Sequence, residues 1–353
     1  MGYTADLLDE VRAQLAPTDE ALDEARKRRE IAKDAAMTFA GVRDTFNSGS
    51  LAHRTMNCPI HKGDKGMDAD CGVILDRRRY PLLGPDGAGI GPRMVVQQML
   101  DHITGKVLIP YPDAELRITK RAILIIPQSP LSTGEDPTVD LVVGLDRRGE
   151  PGLWIPNTKN ETWNPSHPQK HTELLTADPA QLRRIRAQSI RLAKAENKRY
   201  DEPLLCSFNI EVLGWMFART GESVPATLLR MWEDGARDLH RRFTPDPAHV
   251  SPPIKIREGY ETADRIEAAE RFETAAGHLR AALAHDNDPA RVRSELRHLW
   301  PDFIASARGQ LSKAQIAAGI TARSTLHVTS TGALAAAGSI PLNNPRSFGD
   351  GKA

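Results

Sequence analysis

The 353-residue sequence is poor in cysteine, in aromatic residues and in long apolar runs. Its three cysteines, Cys58, Cys71 and Cys206, are too few for a disulfide framework and are typical of a reducing compartment. No apolar stretch approaches the roughly 20 residues that a membrane-spanning helix requires. The first residues also lack the basic and apolar regions of a signal peptide. We therefore expect a soluble, cytoplasmic protein with no membrane partner.

An excess of charge of either sign is also missing. The 47 basic and 46 acidic residues leave a formal net charge of +1. A protein that coats nucleic acid usually carries a strongly basic domain, so nucleic acid is not expected to be a required partner. Cys58 and His61 lack the further ligands and the spacing of a zinc site, so no zinc-bearing DNA-binding insertion is predicted.

Two carboxylates, by contrast, lie two residues apart in an apolar run. Asp68 and Asp70 belong to the stretch from Met67 to Leu75, and residues i and i+2 of a β-strand point to the same face. Neighbouring carboxylates repel each other, and a divalent cation is the usual remedy. Mg²⁺ is the expected ion, with Mn²⁺ as an alternative, because it prefers hard oxygen ligands and completes its shell with substrate phosphates.

A turn upstream and a strand downstream add to this pair. Gly49 and Ser50 open a short helix, where free backbone N–H groups and a hydroxyl suit a phosphate tail. Asp140 lies in a β-branched run, Pro137 to Val143, which predicts a neighbouring strand. A third carboxylate there could share a metal and help to activate an attacking hydroxyl. Each signal alone is also typical of solvated strand ends or ordinary turns, but the ordered combination predicts a metal-dependent nucleotidyl-transfer site.

At these residues the chain resembles the polymerase-beta-type nucleotidyltransferase superfamily. More narrowly, it resembles the bacterial cyclic-oligonucleotide synthases (CD-NTases) related to cyclic GMP–AMP synthase and oligoadenylate synthase. The turn from Gly49 to Thr55, the Asp-x-Asp strand and Asp140 match the motifs of that family. The resemblance covers about residues 40 to 240. It implies catalytic and metal-binding roles for the three aspartates and a nucleotide-binding role for the Gly-Ser turn.

Two further residues are assigned by resemblance alone. The segment from Arg191 to Asn197 is similar to the helix whose lysine reaches the donor triphosphate, although Ala195 stands where many relatives carry an aromatic residue. The segment from Leu205 to Leu213 is similar to the next helix, where a serine precedes an aromatic residue. The resemblance thus implies that Lys194 and Ser207 bind the same triphosphate.

Periodicity and composition divide the chain into four parts. Residues 1–46 are expected to form N-terminal helices, including a long spine helix from Asp19 to about Phe46 that joins two lobes. Residues 47–171 are expected to form the nucleotidyltransferase catalytic core, with a mixed sheet. Residues 172–311 have apolar residues at helical spacing and predict a helical lobe. Residues 312–353 are rich in small and polar residues and predict a flexible tail. The predicted fold class is therefore α+β, and bilobal.

Within the core, shorter patterns predict individual elements. Apolar and β-branched runs predict strands at 71–76, Leu116 to Ile126 and Val139 to Gly144. The spacing of Val95, Met99 and Ile103 predicts a helix from Met94 to Thr104. In the helical lobe, the predicted helices are 178–198, 206–220, 224–243, 261–285 and 288–309.

The resemblance implies an enzyme that joins nucleoside triphosphates, ATP expected among them, into a cyclic di- or trinucleotide with release of pyrophosphate. Its expected setting is antiphage signalling of the CBASS type, with a receptor effector that reads the cyclic product. The tail segment Arg346 to Gly349 is similar to tails that a ubiquitin-transfer-like partner attaches to targets. Two alternatives stay open: a template-independent transferase acting on RNA, protein or a small molecule, and an inactive nucleotide-binding sensor.

Overall fold

The chain alternates a strand-rich middle with helices on both sides. In this computed structural model the described residues are 2–59, 66–87, 91–177, 179–256 and 259–304, with three two-residue strands after them. The helices are α1 (Tyr3–Leu15), α2 (Asp19–Met37), α3 (Gly49–His53), α4 (Pro92–Val107), α5 (Pro168–Thr176), α6 (Ala180–Lys198), α7 (Ser207–Phe217), α8 (Val224–Arg241), α9 (Thr262–Ala284), α10 (Pro289–Arg297) and α11 (Pro301–Ile304). The strands are β1 (Val42–Asn47), β2 (Asp68–Leu75), β3 (Glu115–Ile118), β4 (Ile123–Ile126), β5 (Thr138–Asp146), β6 (Leu153–Asn157), β7 (Thr162–Ser166), β8 (His327–Val328), β9 (Leu334–Ala335) and β10 (Ile340–Pro341).

The first seven strands form one mixed sheet, which confirms the predicted α+β class. Its order is β1-β2-β5-β4-β3, and β6 pairs with both β5 and β7. Only the β2–β5 pair in this sheet is parallel; the other strand pairs are antiparallel. β8 to β10 form a small separate sheet. The rest of the predicted tail, including Arg346 to Gly349, lies outside the described residues, as does His61.

One face of the large sheet is covered by α2 and α4. Alternate residues of the two central strands, such as Cys71 and Leu141, are fully buried against these helices. Small alanines on α2, among them Ala21 and Ala25, let the helix approach the sheet closely. Because side chains alternate along a strand, the residues between them point to the opposite face. That opposite face is where Asp68 is placed.

A second hydrophobic cluster lies among the helices after residue 180. It contains the buried sides of α6 to α11 together with α1. In this cluster the rings of Trp232 and Trp300 stack with centroids 6.0 Å apart. The Trp300 indole N–H donates to the carbonyl of Leu192 at 3.1 Å. Since α1 packs in this cluster and α2 packs on the sheet, the two N-terminal helices connect both parts.

Several predicted elements have different bounds from those expected. The strand predicted at 71–76 is β2, which begins at Asp68, and the described part of the helix predicted at 288–309 is divided into α10 and α11. The long N-terminal helix is present, but it ends at Met37, and Val42 to Asn47 form β1 instead of continuing to Phe46. Gly41, with a φ of +85°, lies in the turn between them, and the residues that follow include β-branched and aromatic side chains that favour a strand.

The single strand predicted from Leu116 to Ile126 is also wrong. This segment is the hairpin of β3 and β4, whose turn is closed by a hydrogen bond from the Thr119 N–H to the Ala122 carbonyl at 2.8 Å. The residues in the turn, Lys120 and Arg121, include neither glycine nor proline, so no turn was predicted there. The described part of the chain contains no helix that is long and apolar enough to cross a membrane.

Candidate active site

The three predicted catalytic carboxylates lie on one face of β2 and β5. The parallel register places Asp68 beside Thr138 and Asp70 beside Asp140. Asp68 accepts a hydrogen bond from the Thr138 hydroxyl. Burial, followed by the charges of Asp140 and Asp68, raises the pKa of Asp70 well above its ordinary value. This face, which we call the sheet wall, therefore carries negative charges that oppose one another.

Gly49 brings the start of α3 against this wall. Its φ is +68°, and a Cβ atom built there would lie 1.8 Å from an Asp70 carboxylate oxygen. Only glycine combines this backbone conformation with so close an approach. The next residue, Ser50, lines the cleft above the sheet wall, and its carbonyl accepts the N–H of Thr55 at 2.9 Å. The Gly-Ser turn is thus fixed beside the carboxylates.

The carboxylates are not arranged as a finished metal site. Among the described residues, no three or more His, Cys, Asp or Glu side chains are grouped as metal ligands. Asp68 is held by the hydroxyl of Thr138. The chemistry of the donor set still fits a hard cation: three carboxylates, one of them with a strongly raised pKa.

Across the cleft, the buried carboxylate of Glu211 is hydrogen-bonded to positive and polar side chains from α3, from the loop after it and from α6. Glu211 on α7 accepts hydrogen bonds from Lys194 Nζ at 2.5 Å and from Thr55 Oγ1 at 2.5 Å. Its second oxygen is 2.8 Å from His53 Nδ1. Lys194 Nζ also donates to Thr55 Oγ1 at 3.0 Å. We call these four residues the Glu211 network.

The Glu211 network keeps its central carboxylate ionised. Burial by itself raises the pKa of Glu211, but the Lys194 charge and the His53 hydrogen bond outweigh it and hold that pKa well below its ordinary value. Both His53 and Thr55 follow the Gly-Ser turn directly, whereas Lys194 and Glu211 come from α6 and α7. The network therefore ties the turn to the helical part.

Ser207 is the first residue of α7 and is exposed on the cleft. The ring of Phe208 beside it is half-buried and lies 4.8 Å from the His171 ring, centroid to centroid. His171 Nε2 in turn is 2.6 Å from an oxygen of Asp246, which also accepts two backbone N–H groups of the following loop. These contacts position residues 251–255 as the rim of the cleft.

The cleft lies between the large sheet and the helices that follow residue 180. It has a volume of about 730 Å³, within the range of small-molecule sites. Six of the seven predicted site residues line it: Gly49, Ser50, Asp68, Asp70, Lys194 and Ser207. Asp140, the seventh, lies beside Asp70 in the strand register. The structure thus brings together residues that are up to 158 positions apart in the sequence.

The sequence interpretation missed several residues of the cleft. Glu211 was visible as a carboxylate four residues after Ser207, within an otherwise apolar helix, a position where a charge requires a partner. His53 and Arg121 also line the cleft. No local signal marks them, because their partners come from other elements.

Solved structures with the same architecture exist. The structure of the Bradyrhizobium diazoefficiens CD-NTase CdnG in complex with GTP has a TM-score of 0.64 at 14% identity, covering 85% of this chain and 96% of that one. The E. coli MS115-1 CdnC:HORMA-deltaN complex has a TM-score of 0.63 at 15% identity, covering 84% and 96%. Vibrio cholerae DncV, a cyclic AMP-GMP synthase solved with the linear intermediate pppA(3′,5′)pG, has a TM-score of 0.57 at 12% identity, covering 86% and 88%.

No protein-family model matches the chain, and no curated protein matches it. The three-dimensional match nevertheless spans both parts of the molecule, with about 85% of the chain superimposed in the CdnG comparison. The chain has the fold of the CD-NTases.

Proposed function

We propose that this chain is a metal-dependent nucleotidyltransferase that joins nucleoside triphosphates, ATP among them, into a cyclic di- or trinucleotide. The observation that carries the proposal is the pairing of two cleft walls. Asp68, Asp70 and Asp140 crowd one wall, and Lys194 lies on the other. A divalent cation that carries a triphosphate is the ligand whose charge matches the crowded carboxylates, and Lys194, although it is hydrogen-bonded to Glu211 and Thr55, lines the same cleft.

The chain's own residues account for binding and orientation. Gly49 and Ser50 would hold the terminal phosphates of the donor nucleotide, with Lys194 and Ser207 on the opposite side. The half-buried ring of Phe208 lines the cleft and offers an apolar surface for a base. Asp140, on the strand next to Asp70, would orient the acceptor hydroxyl.

The reaction is an in-line displacement at the donor α-phosphorus. The acceptor hydroxyl loses its proton to solvent, its oxygen forms a bond to this phosphorus, the bond to the bridging oxygen of the β-phosphate breaks, and pyrophosphate leaves. A final displacement of the same kind closes the ring and releases another pyrophosphate. Mg²⁺ or Mn²⁺ held by Asp68, Asp70 and Asp140 would supply neutralisation of the phosphate charge and acidify the hydroxyl. The residues around them contribute by holding both nucleotides in line within a cleft that limits their motion.

The neighbouring structures support this assignment of substrates. CdnG was solved with GTP, and DncV, a cyclic AMP-GMP synthase, with a linear dinucleotide intermediate. We extend the proposal to antiphage signalling of the CBASS type, in which a receptor effector reads the cyclic product. CdnC was solved with a HORMA partner, and a regulatory protein partner is proposed here as well, besides the ubiquitin-transfer-like protein proposed for the tail.

The test is a product assay on the purified full chain. It would be incubated with four labelled ribonucleoside triphosphates and Mg²⁺ or Mn²⁺, treated with phosphatase, and analysed by chromatography and mass spectrometry. We expect a phosphatase-resistant species with the mass of a cyclic oligonucleotide. Label on RNA, on protein or on a small molecule instead would indicate a transferase with a different acceptor.

Variants make the assay specific to the sheet wall. The double variant Asp68→Asn, Asp70→Asn should make no product while keeping its fold, because it removes charges that oppose one another. Asp44→Asn, which changes an exposed carboxylate on the adjacent strand β1, is the matched control and should keep full activity. Full activity in the double variant would contradict the proposal.

A further inference from the structure

Arg121 is a charged residue of the cleft that the proposed reaction does not use. It lies in the turn between β3 and β4, and this turn is rigid: Thr119 bonds to Ala122 through both its backbone N–H and its hydroxyl, at 2.8 and 3.0 Å. The side chain is half-buried on the cleft wall. A rigid backbone that aims a guanidinium into a cleft is a feature that a ligand can use.

Among the described residues, only one nitrogen of this guanidinium, Nη1, donates hydrogen bonds. Arg121 Nη1 donates to the side-chain oxygen of Asn164 at 2.6 Å and to the carbonyl of Pro156 at 3.4 Å. Within the described residues, its Nε and Nη2 make no hydrogen bond, and no carboxylate forms an ion pair with it. Burial lowers the pKa of Arg121, with no neighbouring negative charge to offset this. The free Nε–H and Nη2–H point the same way, as a fork for two acceptor atoms.

The surroundings of the fork favour a base over a phosphate. Asn164 pairs across the β6–β7 hairpin with Ile155, and both line the cleft together with Pro165. An apolar side chain and a proline ring form a surface for a flat ring, not for a hydrated phosphate. The groups suited to phosphate lie elsewhere, in the Gly-Ser turn and at Lys194. Among the described residues, no hydrogen bond joins Arg121 to the Glu211 network.

We propose that Arg121 selects a guanine base, by donating two hydrogen bonds to its O6 and N7 atoms. This proposal rests on the nucleotidyl-transfer function proposed above and names one of its substrates. Arginine matches these two acceptors in a side-on geometry, whereas adenine presents an amino donor next to N7 and leaves one N–H unpaired. Asn164 and the Pro156 carbonyl hold the guanidinium in this orientation.

The test measures binding and needs no turnover. Non-hydrolysable guanosine and adenosine triphosphate analogues with an α,β-methylene bridge would be titrated into the full chain with Mg²⁺ by calorimetry. We expect the wild type to prefer the guanosine analogue, and Arg121→Met to lose about 5- to 150-fold in guanosine affinity, the range for one bidentate arginine–guanine pair. Affinity for the adenosine analogue should change little. Arg117→Met, an exposed arginine on the same hairpin, is the control and should change neither.

Base analogues identify the atoms. A 7-deazaguanosine analogue, which lacks N7, should bind the wild type more weakly than the guanosine analogue does. Arg121→Met should bind the two analogues with the same affinity. An inosine analogue, which keeps O6 and N7, should retain the preference. The proposal is overturned if the wild type shows no guanine preference, or if Arg121→Met weakens guanosine and adenosine analogues alike, which would indicate a phosphate contact.

The outcome is separable from that of the proposed function. The product assay could find no cyclic nucleotide while the guanine preference still depends on Arg121. In that case the proposed reaction is wrong, and the proposed guanine site at Arg121 is supported. If the chain makes a product free of guanine and the preference is absent, the function stands and the role of Arg121 is wrong.

Discussion

The buried carboxylates on the two walls of the cleft have pKa values that are shifted in opposite directions. In the Glu211 network, a buried carboxylate is surrounded by Lys194, His53 and Thr55 at hydrogen-bonding distance. On the sheet wall, Asp70 lies beside Asp140 and close to Asp68, and its pKa is raised by burial and by both neighbours. The first carboxylate is held ionised by its neighbours, whereas the neighbours of Asp70 oppose its ionisation. The Glu211 network is therefore a fixed part of the fold, and the sheet wall is where a bound cation would contribute free energy.

This contrast predicts that removing one carboxylate has opposite effects on the two walls. Loss of Glu211 leaves a buried ammonium without its counter-charge, and such a loss is strongly destabilising. Loss of Asp70 relieves repulsion, since like charges directly opposite each other on neighbouring strands are unfavourable. The sign of the change in unfolding free energy therefore distinguishes a structural carboxylate from a ligand-binding one.

The largest effect is expected for Glu211→Gln. This change keeps the shape of the side chain but removes the charge that Lys194 and His53 face, so we expect a loss of about 3–5 kcal/mol in unfolding free energy. Urea denaturation followed by circular dichroism would measure it. Glu173→Gln, which breaks the exposed pair with Lys170, is the control and should lose about 1 kcal/mol or less. Equal losses in the two variants would contradict the view that the network is a structural link.

An intermediate effect is expected where the Gly-Ser turn meets the sheet wall. Gly49→Ala would place a Cβ atom 1.8 Å from an Asp70 oxygen at a φ of +68°, so we expect a loss of about 1–3 kcal/mol and reduced product formation. Thermal unfolding and the product assay would measure both.

The matched control for this change is Gly105→Ala. Gly105 lies in α4 and a Cβ atom there would meet no atom within 4 Å. Alanine favours the helix over glycine, so this variant should gain about 0.5–1 kcal/mol. If the two variants lose stability equally, the close approach of Gly49 to the carboxylate is not the cause.

Much of the sheet wall could be predicted from the sequence, because it follows from local rules. Alternation along a strand places Asp68 and Asp70 on one face, and the β-branched run around Asp140 predicts the neighbouring strand. The register that aligns Asp70 with Asp140 could not be predicted, since it depends on a parallel pairing across 70 residues of sequence. The motif order and the family resemblance identified the wall before its geometry was known.

The Glu211 network and Arg121 could not be predicted in the same way. Each depends on elements that meet only in the folded chain: α3, α6 and α7 for Glu211, and the β3–β4 turn with the β6–β7 hairpin for Arg121. The hairpin itself was hidden because its turn, Lys120-Arg121, lacks glycine and proline. Local patterns therefore show which residues carry charge, but tertiary contacts decide which charges are neutralised.

The smallest effect, and the most informative in sign, is expected for Asp70→Asn. Without added metal at neutral pH, we expect a gain of about 0.2–1 kcal/mol, the size of one relieved like-charge pair on neighbouring strands. The sign follows from linkage: the pKa of Asp70 is raised in the folded state, so its ionisation opposes folding. The opposition is complete above this raised pKa and disappears as the pH falls to the ordinary value of 3.8. The stability gained by the variant should therefore shrink as the solution is acidified.

Added Mg²⁺ should reverse this order. A cation that binds the folded protein and not the unfolded chain stabilises the folded state by mass action. Asp70→Asn has one ligand fewer, so Mg²⁺ should stabilise it less than it stabilises the wild type. Thermal unfolding with and without Mg²⁺, with Asp44→Asn as the control, would measure the difference. If Mg²⁺ raises the melting temperature of all three proteins equally, the sheet wall does not bind the cation. If the order of the wild type and Asp70→Asn reverses, the repulsion on this wall is the feature that a bound metal resolves.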